Sequence, residues 1–194
     1  MNLYLIQCGQ TEWLAAGRMQ GRLALPLSEA GLAEVNALAE QLVDQLADQP
    51  LEGIFTAPCE SCVQTARIIA ERAGKPKVHK SKGFEEVDIG LWQGMLAEEV
   101  KRRQPRVYRQ WQEEPGSVTP PNGENFGQAY DRLVAALNRL ASRREEQTVA
   151  VVVAPLAAAM LRCHLSGKPV TELWTMARAA AGPVERFAVA ATGK

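Results

Sequence analysis

Three cysteines are the side chains of this sequence that could most directly do chemistry. Cys59 and Cys62 form a C-x-x-C motif at the start of a predicted helix, where the helix dipole lowers the pKa of a thiol. If Cys8 shares their pocket, the thiols could act as a redox pair with a third partner, or as three ligands of a zinc site that lacks a fourth. A single C-x-x-C motif is a weak signal, because small buried cysteines also serve as core residues.

The positions of these thiols depend on the predicted secondary structure. Apolar runs predict buried strands at 2–7, 51–55 and 148–153, and helices are predicted at 59–72 and 124–144. Another helix, with Ser28 as its N-cap, presents an apolar face made of Leu32, Val35, Leu38, Leu42, Val43 and Leu46.

Strands that alternate with helices predict an α/β fold in three layers, a mostly parallel sheet with helices on both faces. In such sheets the ligand crevice lies beyond the carboxyl ends of the strands. Cys8, residues 57–61 and the Ala154–Pro155 pair all follow predicted strands. We therefore expect these three places to meet at one pocket.

Composition limits the classes of protein to consider. The 194 residues, 46% of them hydrophobic, are enough for one compact domain that spans 1–194. The 22 basic and 22 acidic residues give a formal net charge of zero, which argues against nucleic acid or an anionic membrane as a partner. The sequence shows no signal peptide and no apolar run of about eighteen residues, so we expect a cytoplasmic protein with reduced thiols.

Five segments of the chain, in order, resemble the histidine phosphatase superfamily, the phosphoglycerate mutase-like proteins. They are LIQCGQTEW at 5–13 with GRMQG at 17–21 and PLSEAG at 26–31, TAPCESCVQTA at 56–66, FEEVDIGLWQG at 84–94, PPNGENF at 120–126 and VAVVVAPLAAAMLRCHLSG at 149–167. Because the resemblance covers nearly the whole chain, it implies a phosphoglycerate mutase-like fold. It also implies a lid-like insertion at about 95–125.

The same resemblance implies that the catalytic positions have changed. The family holds a phosphoryl group with two arginines and two histidines, and the matching residues here are Gln7, Cys8, Ser61 and Ala154. Only the acid that protonates the leaving oxygen is kept, as Glu86. With charge-assisted contacts worth about 1.5–3 kcal/mol each, losing both arginines and one histidine weakens phosphate binding by roughly 4–9 kcal/mol.

These losses predict a catalytically degenerate protein, a pseudophosphatase that binds a protein or small-molecule ligand, with no confident catalytic residue. Thr11 and Glu86 are the predicted ligand-binding residues, and no cofactor or metal is predicted. Two alternatives stay open: a residual or atypical phosphatase or phosphomutase-like enzyme that uses Glu86, and a thiol-based redox or metal function at Cys8, Cys59 and Cys62. A homodimer is also open.

The remaining candidates carry less weight. Cys8 is disfavoured as a phosphoryl acceptor because the pocket keeps no matched arginine, and the cysteines are expected to be small fillers, with Cys62 pointing into the core. His79 and His164 lie outside the motif positions that could rescue catalysis. The basic stretch 101–111 is expected to form a solvated face that also packs two aromatic side chains.

Overall fold

A computed structural model describes residues 1–46, 49–178 and 184–190 of the chain. Its strands are β1 (Asn2–Gln7), β2 (Gly53–Thr56), β3 (Val78–Lys80), β4 (Thr148–Val153) and β5 (Val184–Ala188). Its helices are α1 (Glu12–Ala15), α2 (Glu29–Leu46), α3 (Glu60–Arg72), α4 (Ala97–Arg103), α5 (Pro105–Glu113), α6 (Phe126–Arg143), α7 (Pro155–Leu165) and α8 (Leu173–Arg178). Short 3₁₀ turns occur at 82–84, 90–92, 115–117 and 170–172.

The five strands form one sheet in the order β3-β2-β4-β1-β5. All neighbours pair in parallel except β5, which runs antiparallel to β1 at the edge. The α/β fold with a mostly parallel sheet is thus confirmed. The sequence did not reveal β5, because an edge strand that is only partly buried lacks the continuous apolar run that marked β1 and β4.

Helices cover both faces of this sheet, as the three-layer prediction required. Successive side chains of β1 point to opposite faces: Leu3 and Leu5 pack with α6 and α7, whereas Tyr4 and Ile6 pack with α2 and α3. The central strand β4 is buried along its whole length. Its Val-rich sequence therefore fits a strand that meets apolar side chains on both faces.

Most predicted boundaries agree with the structure to within two residues. β1 and β4 have the predicted bounds, β2 begins at Gly53, and Asn125 caps α6 by accepting a hydrogen bond from the Gln128 N–H. Ser28 accepts one from the Gly31 N–H, as expected of an N-cap. The apolar face of α2 is narrower than predicted, since Leu32 and Val43 are 40% and 38% exposed.

The segment predicted to be a lid-like insertion contains α4 and α5. Its Trp111 packs edge-on against aromatic rings from three other parts of the chain, Trp92, Phe126 and Trp174. The Trp174 indole N–H also donates to the Trp111 carbonyl at 2.7 Å. These contacts fix α5 against the body of the protein, and a lid function for this segment stays a prediction. Within the described part of the chain, no helix is long and apolar enough to cross a membrane.

The loop after β1 lies unusually close to α2, and glycines make this approach possible. A Cβ on Gly31 would stand 2.1 Å from the Gln10 carbonyl oxygen, and one on Gly9 would stand 2.5 Å from a methyl of Val35. No side chain fits at either distance. The pair of glycines therefore holds the residues that follow β1 against the first turn of α2.

Gly31→Ala should destabilise the protein although alanine is the better helix former. The gain in helix propensity is about 1 kcal/mol. The free-energy cost of the backbone shift that would relieve the contact with the Gln10 carbonyl is larger. We therefore expect the unfolding free energy to fall by about 1–3 kcal/mol. Urea unfolding measures it, with Ala33→Ser at an exposed position of the same helix as the control. An unchanged or higher unfolding free energy for Gly31→Ala would refute the close approach.

Candidate active site

The ends of three strands bring the altered motif positions together. Cys8 extends the ladder between β1 and β4 through its N–H, which donates to the Val153 carbonyl at 2.8 Å. Its sulfur lies 3.7 Å from the Ser61 hydroxyl in the first turn of α3. Ala154, which follows β4 as the N-cap of α7, belongs to the same buried cluster. The convergence expected from the strand order is therefore present.

The three thiols lie in this cluster, and two of them, those of Cys8 and Cys59, lie beside Ser61. The Cys59 sulfur is 3.9 Å from the Ser61 hydroxyl, on which the Cys8 thiol also converges. Cys62 is fully buried, and Cys8 and Cys59 are 4% and 8% exposed. Cys62 points into the core, as predicted, but the other two sulfurs lie there as well.

The surroundings of Cys59 and Cys62 shift the pKa values of the two thiols in opposite directions. Hydrogen bonding to the Cys62 thiol lowers the pKa of Cys59 to about 6, although burial acts in the opposite direction. Burial raises the pKa of Cys62 well above its ordinary range, and its contacts with the other two sulfurs raise it further. One thiol of the C-x-x-C motif is therefore ionised at neutral pH, and the other keeps its proton.

Glu86 reaches the site from the loop before the second 3₁₀ turn and caps α7. Its carboxylate accepts hydrogen bonds from the Leu156 and Ala157 N–H groups, both at 2.9 Å, and from the Val87 N–H at 2.8 Å. Burial nevertheless raises the pKa of Glu86 to about 7, with the three N–H groups opposing the shift. A carboxyl with this pKa is well suited to donate a proton near neutral pH.

Two neighbouring cavities, and not one crevice, open at this edge of the sheet. Cys8 and Gln7 line the larger one, about 670 Å³, and Glu86 and Ala154 line the smaller one, about 280 Å³. The side chains common to both are Leu14 and Pro155. Ser61 is fully buried beneath Cys8 and lines neither cavity among the residues described. The prediction that Cys8, Ser61, Glu86 and Ala154 line a single crevice is therefore corrected to two cavities with a common wall.

Positive charge is sparse in both cavities. Among the described residues that line them, Arg18 in the smaller cavity is the only basic side chain, and Glu34 in the larger one adds a negative charge. The Arg18 guanidinium donates to the Gly94 carbonyl at 2.6 Å, which holds it at the cavity wall. The sequence analysis missed this residue, since the GRMQG segment was used only as a family signature.

A second arginine lies behind the site. Arg162, buried on α7, forms an ion pair with Glu185 of β5 and donates to the Gln7 side-chain oxygen at 3.5 Å. The sequence offered one signal for it, a lone arginine in the apolar run AAAMLRCHL. Its charge is already paired, so it supports Gln7 and does not supply a cation to the cavity.

Thr11 has a structural task that accounts for its burial. Its hydroxyl accepts from the Leu14 N–H as the N-cap of α1 and donates to the Gln20 side-chain oxygen at 2.6 Å. The hydroxyl is thus engaged on both sides, and ligand binding by Thr11 stays a prediction. The capping bond instead holds Leu14 at the wall between the two cavities.

The remaining sequence candidates lie away from these cavities. His79 stacks on Phe55 at 5.0 Å, and burial lowers its pKa. His164 meets the Tyr130 ring edge-on. The arginines of 101–111 are exposed, as expected of a solvated face. No group of three or more metal-binding side chains suited to a metal ion occurs in residues 1–46, 49–178 or 184–190, the cysteine cluster included.

Comparison with known proteins extends these findings. A family model described as "Histidine phosphatase superfamily (branch 1)" matches residues 3–185. Phosphoserine phosphatase 1 of Hydrogenobacter thermophilus is 34% identical over 175 residues, which cover 90% of this chain and 81% of that protein. Glucosyl-3-phosphoglycerate phosphatase of Mycolicibacterium vanbaalenii is 31% identical over 144 residues, 74% of this chain and 61% of that protein. The solved structure of a mycobacterial glucosyl-3-phosphoglycerate phosphatase with VO3 has a TM-score of 0.78 at 27% identity, covering 89% of this chain and 83% of that one.

These similarities overturn one prediction made from the sequence. The expected pseudophosphatase with a binding or regulatory role is wrong, because the relatives described above, which match 74–90% of this chain, are named as phosphatases. That prediction rested on four positions, Gln7, Cys8, Ser61 and Ala154, whereas the similarity to phosphatases extends over residues 3–185. The alternative of an atypical phosphatase that uses Glu86 is the better supported interpretation.

The raised pKa of Glu86 should make the stability of the fold depend on pH. Its pKa is about 7 in the folded state and about 4.3 in the unfolded chain, so the folded state binds more protons between these values. Stability should then fall as pH rises through this window. Relative to Glu86→Gln, the wild type should lose about 2–3 kcal/mol of unfolding free energy between pH 5 and pH 8.

Urea unfolding of both proteins at the two pH values measures this difference. The neighbouring Glu85→Gln is the matched control, because Glu85 is a partly exposed carboxylate beside Arg22. A wild type and Glu86→Gln that respond equally to pH would show that Glu86 has an ordinary pKa.

Proposed function

Because the chain belongs to branch 1 of the histidine phosphatase superfamily, we propose that it is an atypical phosphatase that hydrolyses phosphomonoesters at the paired cavities beyond β1 and β4. The observation that carries the proposal is Glu86, a buried carboxyl with a pKa of about 7 on the wall of the smaller cavity. A group that is half protonated near neutral pH can donate a proton to a leaving oxygen and recover it from water. In this assignment Glu86 is the general acid.

Cys8 is the proposed nucleophile, although the sequence disfavoured it for want of a matched arginine, because Arg18 lines the adjoining cavity and supplies a basic side chain. It follows β1 at the position of the family's reacting histidine, and it lines the larger cavity. Its thiol donates to the Ser61 hydroxyl at 3.7 Å, which fixes the orientation of the sulfur. Leu14 and Pro155 line both cavities, so the cavities meet at these two residues, and the proposed position of the phosphoryl group, in contact with both Cys8 and Glu86, is at this junction.

The reaction then takes two steps that balance. The Cys8 thiolate attacks phosphorus, the ester P–O bond breaks, and the proton of Glu86 passes to the leaving oxygen. Water, deprotonated by the Glu86 carboxylate, next attacks the phosphorus of the thiophosphate, and the S–P bond breaks. Inorganic phosphate leaves, and both side chains return to their starting states.

The charge of the cavities favours a particular class of ester. A phosphate dianion would meet Glu34 and only one basic side chain, Arg18, among the described lining residues. A phosphate monoanion needs less positive charge for binding than a dianion does. A large apolar group on the ester would add binding free energy by burying its surface against Met19, Ile89 and Trp111. We therefore assign the site to monoanionic phosphate esters of apolar alcohols, turned over slowly.

Hydrolysis assays on two esters test the roles of Glu86 and Cys8. Phosphate release from phenyl phosphate should fall by about 10²-fold or more in Glu86→Gln, and Cys8→Ala should abolish it. The loss in Glu86→Gln should be smaller with p-nitrophenyl phosphate, whose leaving oxygen needs less help from a proton. Wild-type activity should also decline above pH 7, where Glu86 loses its proton.

The controls for this assay are chosen from the same chain. Glu85→Gln, purified in parallel, should retain wild-type activity, which excludes a contaminating phosphatase as the source of the difference. Equal rates in wild type, Glu86→Gln and Cys8→Ala, or no release above buffer in the wild type, would contradict the proposal.

Arg18 should determine substrate affinity and not the chemical step. Removing one charge-assisted contact costs about 1.5–3 kcal/mol, so Arg18→Gln should raise KM by roughly 10- to 100-fold with little change in kcat. Arg102→Gln, at an exposed position of α4, is the matched control. A KM that does not change in Arg18→Gln would remove Arg18 from the binding site.

A further inference from the structure

The C-x-x-C motif at the start of α3 is not used by the phosphatase chemistry proposed above. We propose that Cys59 and Cys62 form a redox-active dithiol, in which a hydroperoxide oxidises Cys59 and Cys62 closes an intramolecular disulfide with it. This site lies beside the cavities and does not depend on phosphatase activity.

The geometry of α3 brings the two sulfurs to one side of its first turn. Cys59 is the N-cap, with extended backbone angles (φ −64°, ψ 152°), and Cys62 is the third helical residue. The two side chains pack in one buried cluster with Cys8 and Ala154. An N-cap and the third helical residue lie within one turn, so a disulfide between them requires no movement of another element.

Cys59 is the thiol placed to react first. It is the N-cap of a 13-residue helix, where free N–H groups favour a negative charge on its sulfur. Hydrogen bonds from the side chain and the backbone of Cys62 lower the pKa of its thiol to about 6. The groups that face it are Ser61 and Cys62 from α3 and Glu86 from the loop after the first 3₁₀ turn, and Cys8 contacts the same Ser61 hydroxyl.

Cys62 is placed to complete the reaction. It is fully buried, and both its burial and its sulfur neighbours keep it protonated. A sulfenic acid formed on Cys59 would therefore meet a thiol before it meets bulk solvent. Of the two, Cys59 is the more exposed at 8%, and the neighbouring Cys8 opens to the larger cavity, which a small peroxide can enter.

The chemistry balances with the hydroperoxide as the two-electron oxidant. The Cys59 thiolate attacks the peroxide oxygen, the O–O bond breaks, and the alkoxide or hydroxide released takes a proton from water, leaving a sulfenic acid. The Cys62 thiol then attacks that sulfur, an S–S bond forms, and the S–O bond breaks with loss of water. Two thiols are oxidised, and one hydroperoxide is reduced to an alcohol or to water.

Mass spectrometry of the full chain tests the proposal without an activity assay. The reduced protein is treated with a small excess of hydrogen peroxide, and the remaining thiols are alkylated. We expect two of the four thiols to resist alkylation, with the loss of two hydrogen masses in the peptide that contains both Cys59 and Cys62. Dithiothreitol should restore both thiols.

Single substitutions show which of the two cysteines is oxidised first. In Cys62→Ser the oxidation should stop at a sulfenic acid on Cys59 that dimedone traps, whereas Cys59→Ser should form neither product. Cys163→Ser is the matched control, because this buried cysteine lies on α7, outside the cluster. The experiment on peroxide-treated wild type needs no substitution, so its result does not depend on how well a variant folds.

Several outcomes would overturn the dithiol. Four alkylatable thiols after peroxide treatment would show that the buried cluster is inert. A disulfide between Cys8 and Cys62 would assign the redox pair to other partners. Dimedone labelling of Cys62 in place of Cys59 would reverse the reaction order, and stoichiometric zinc in protein purified without chelator would make the cluster a metal site.

Discussion

The parallel pairing of β1 with β4 in the middle of the sheet sets the geometry of the site. Gln7 lies opposite Val153, so both strands end at the same level, and the Cys8 N–H continues their ladder. Ala154 can then begin α7 directly beside Cys8, and β2, on the other side of β4, delivers Ala57 and the start of α3 to the same edge. A shift of one residue would send each side chain to the opposite face of the sheet and separate these groups.

Glu86 supplies the hydrogen-bond acceptors that the N-terminus of α7 lacks at Ala154. A helix N-terminus needs hydrogen-bond acceptors for its free N–H groups, and an alanine N-cap offers no side chain for them. The carboxylate of Glu86 supplies two acceptors from a distant loop, to the Leu156 and Ala157 N–H groups. These hydrogen bonds stabilise the ionised carboxylate of Glu86, whereas its burial disfavours that charge. Burial is the larger effect, and the pKa of Glu86 is raised to about 7. One carboxyl can therefore hold the helix in place when ionised and donate a proton when neutral.

The residues at the strand ends make an apolar environment for the chemistry proposed there. A cluster of arginines and histidines would hold water and anions, whereas Cys8, Cys59 and Cys62 join Ala154 in a buried apolar cluster. In such a cluster the few polar contacts that remain act strongly, because water does not compete with them. Hydrogen bonding to Cys62 accordingly lowers the pKa of Cys59, whereas burial, followed by the contact with Cys59, raises the pKa of Cys62. The same apolar surroundings make a dianionic ligand costly and an apolar ester favourable.

The sequence by itself determined β1, β2 and β4 and the long helices α2, α3 and α6, because apolar runs such as Thr148–Val153 and apolar helix faces act locally. It also determined that the strand ends converge, since carboxyl ends of parallel strands share one edge. Only the tertiary structure decided that Leu14 and Pro155 divide the site into two cavities, and that Glu86 reaches across the chain to cap α7. These features, like the contact of the Cys8 sulfur with the Ser61 hydroxyl, depend on distances between residues remote in sequence, which no local pattern encodes.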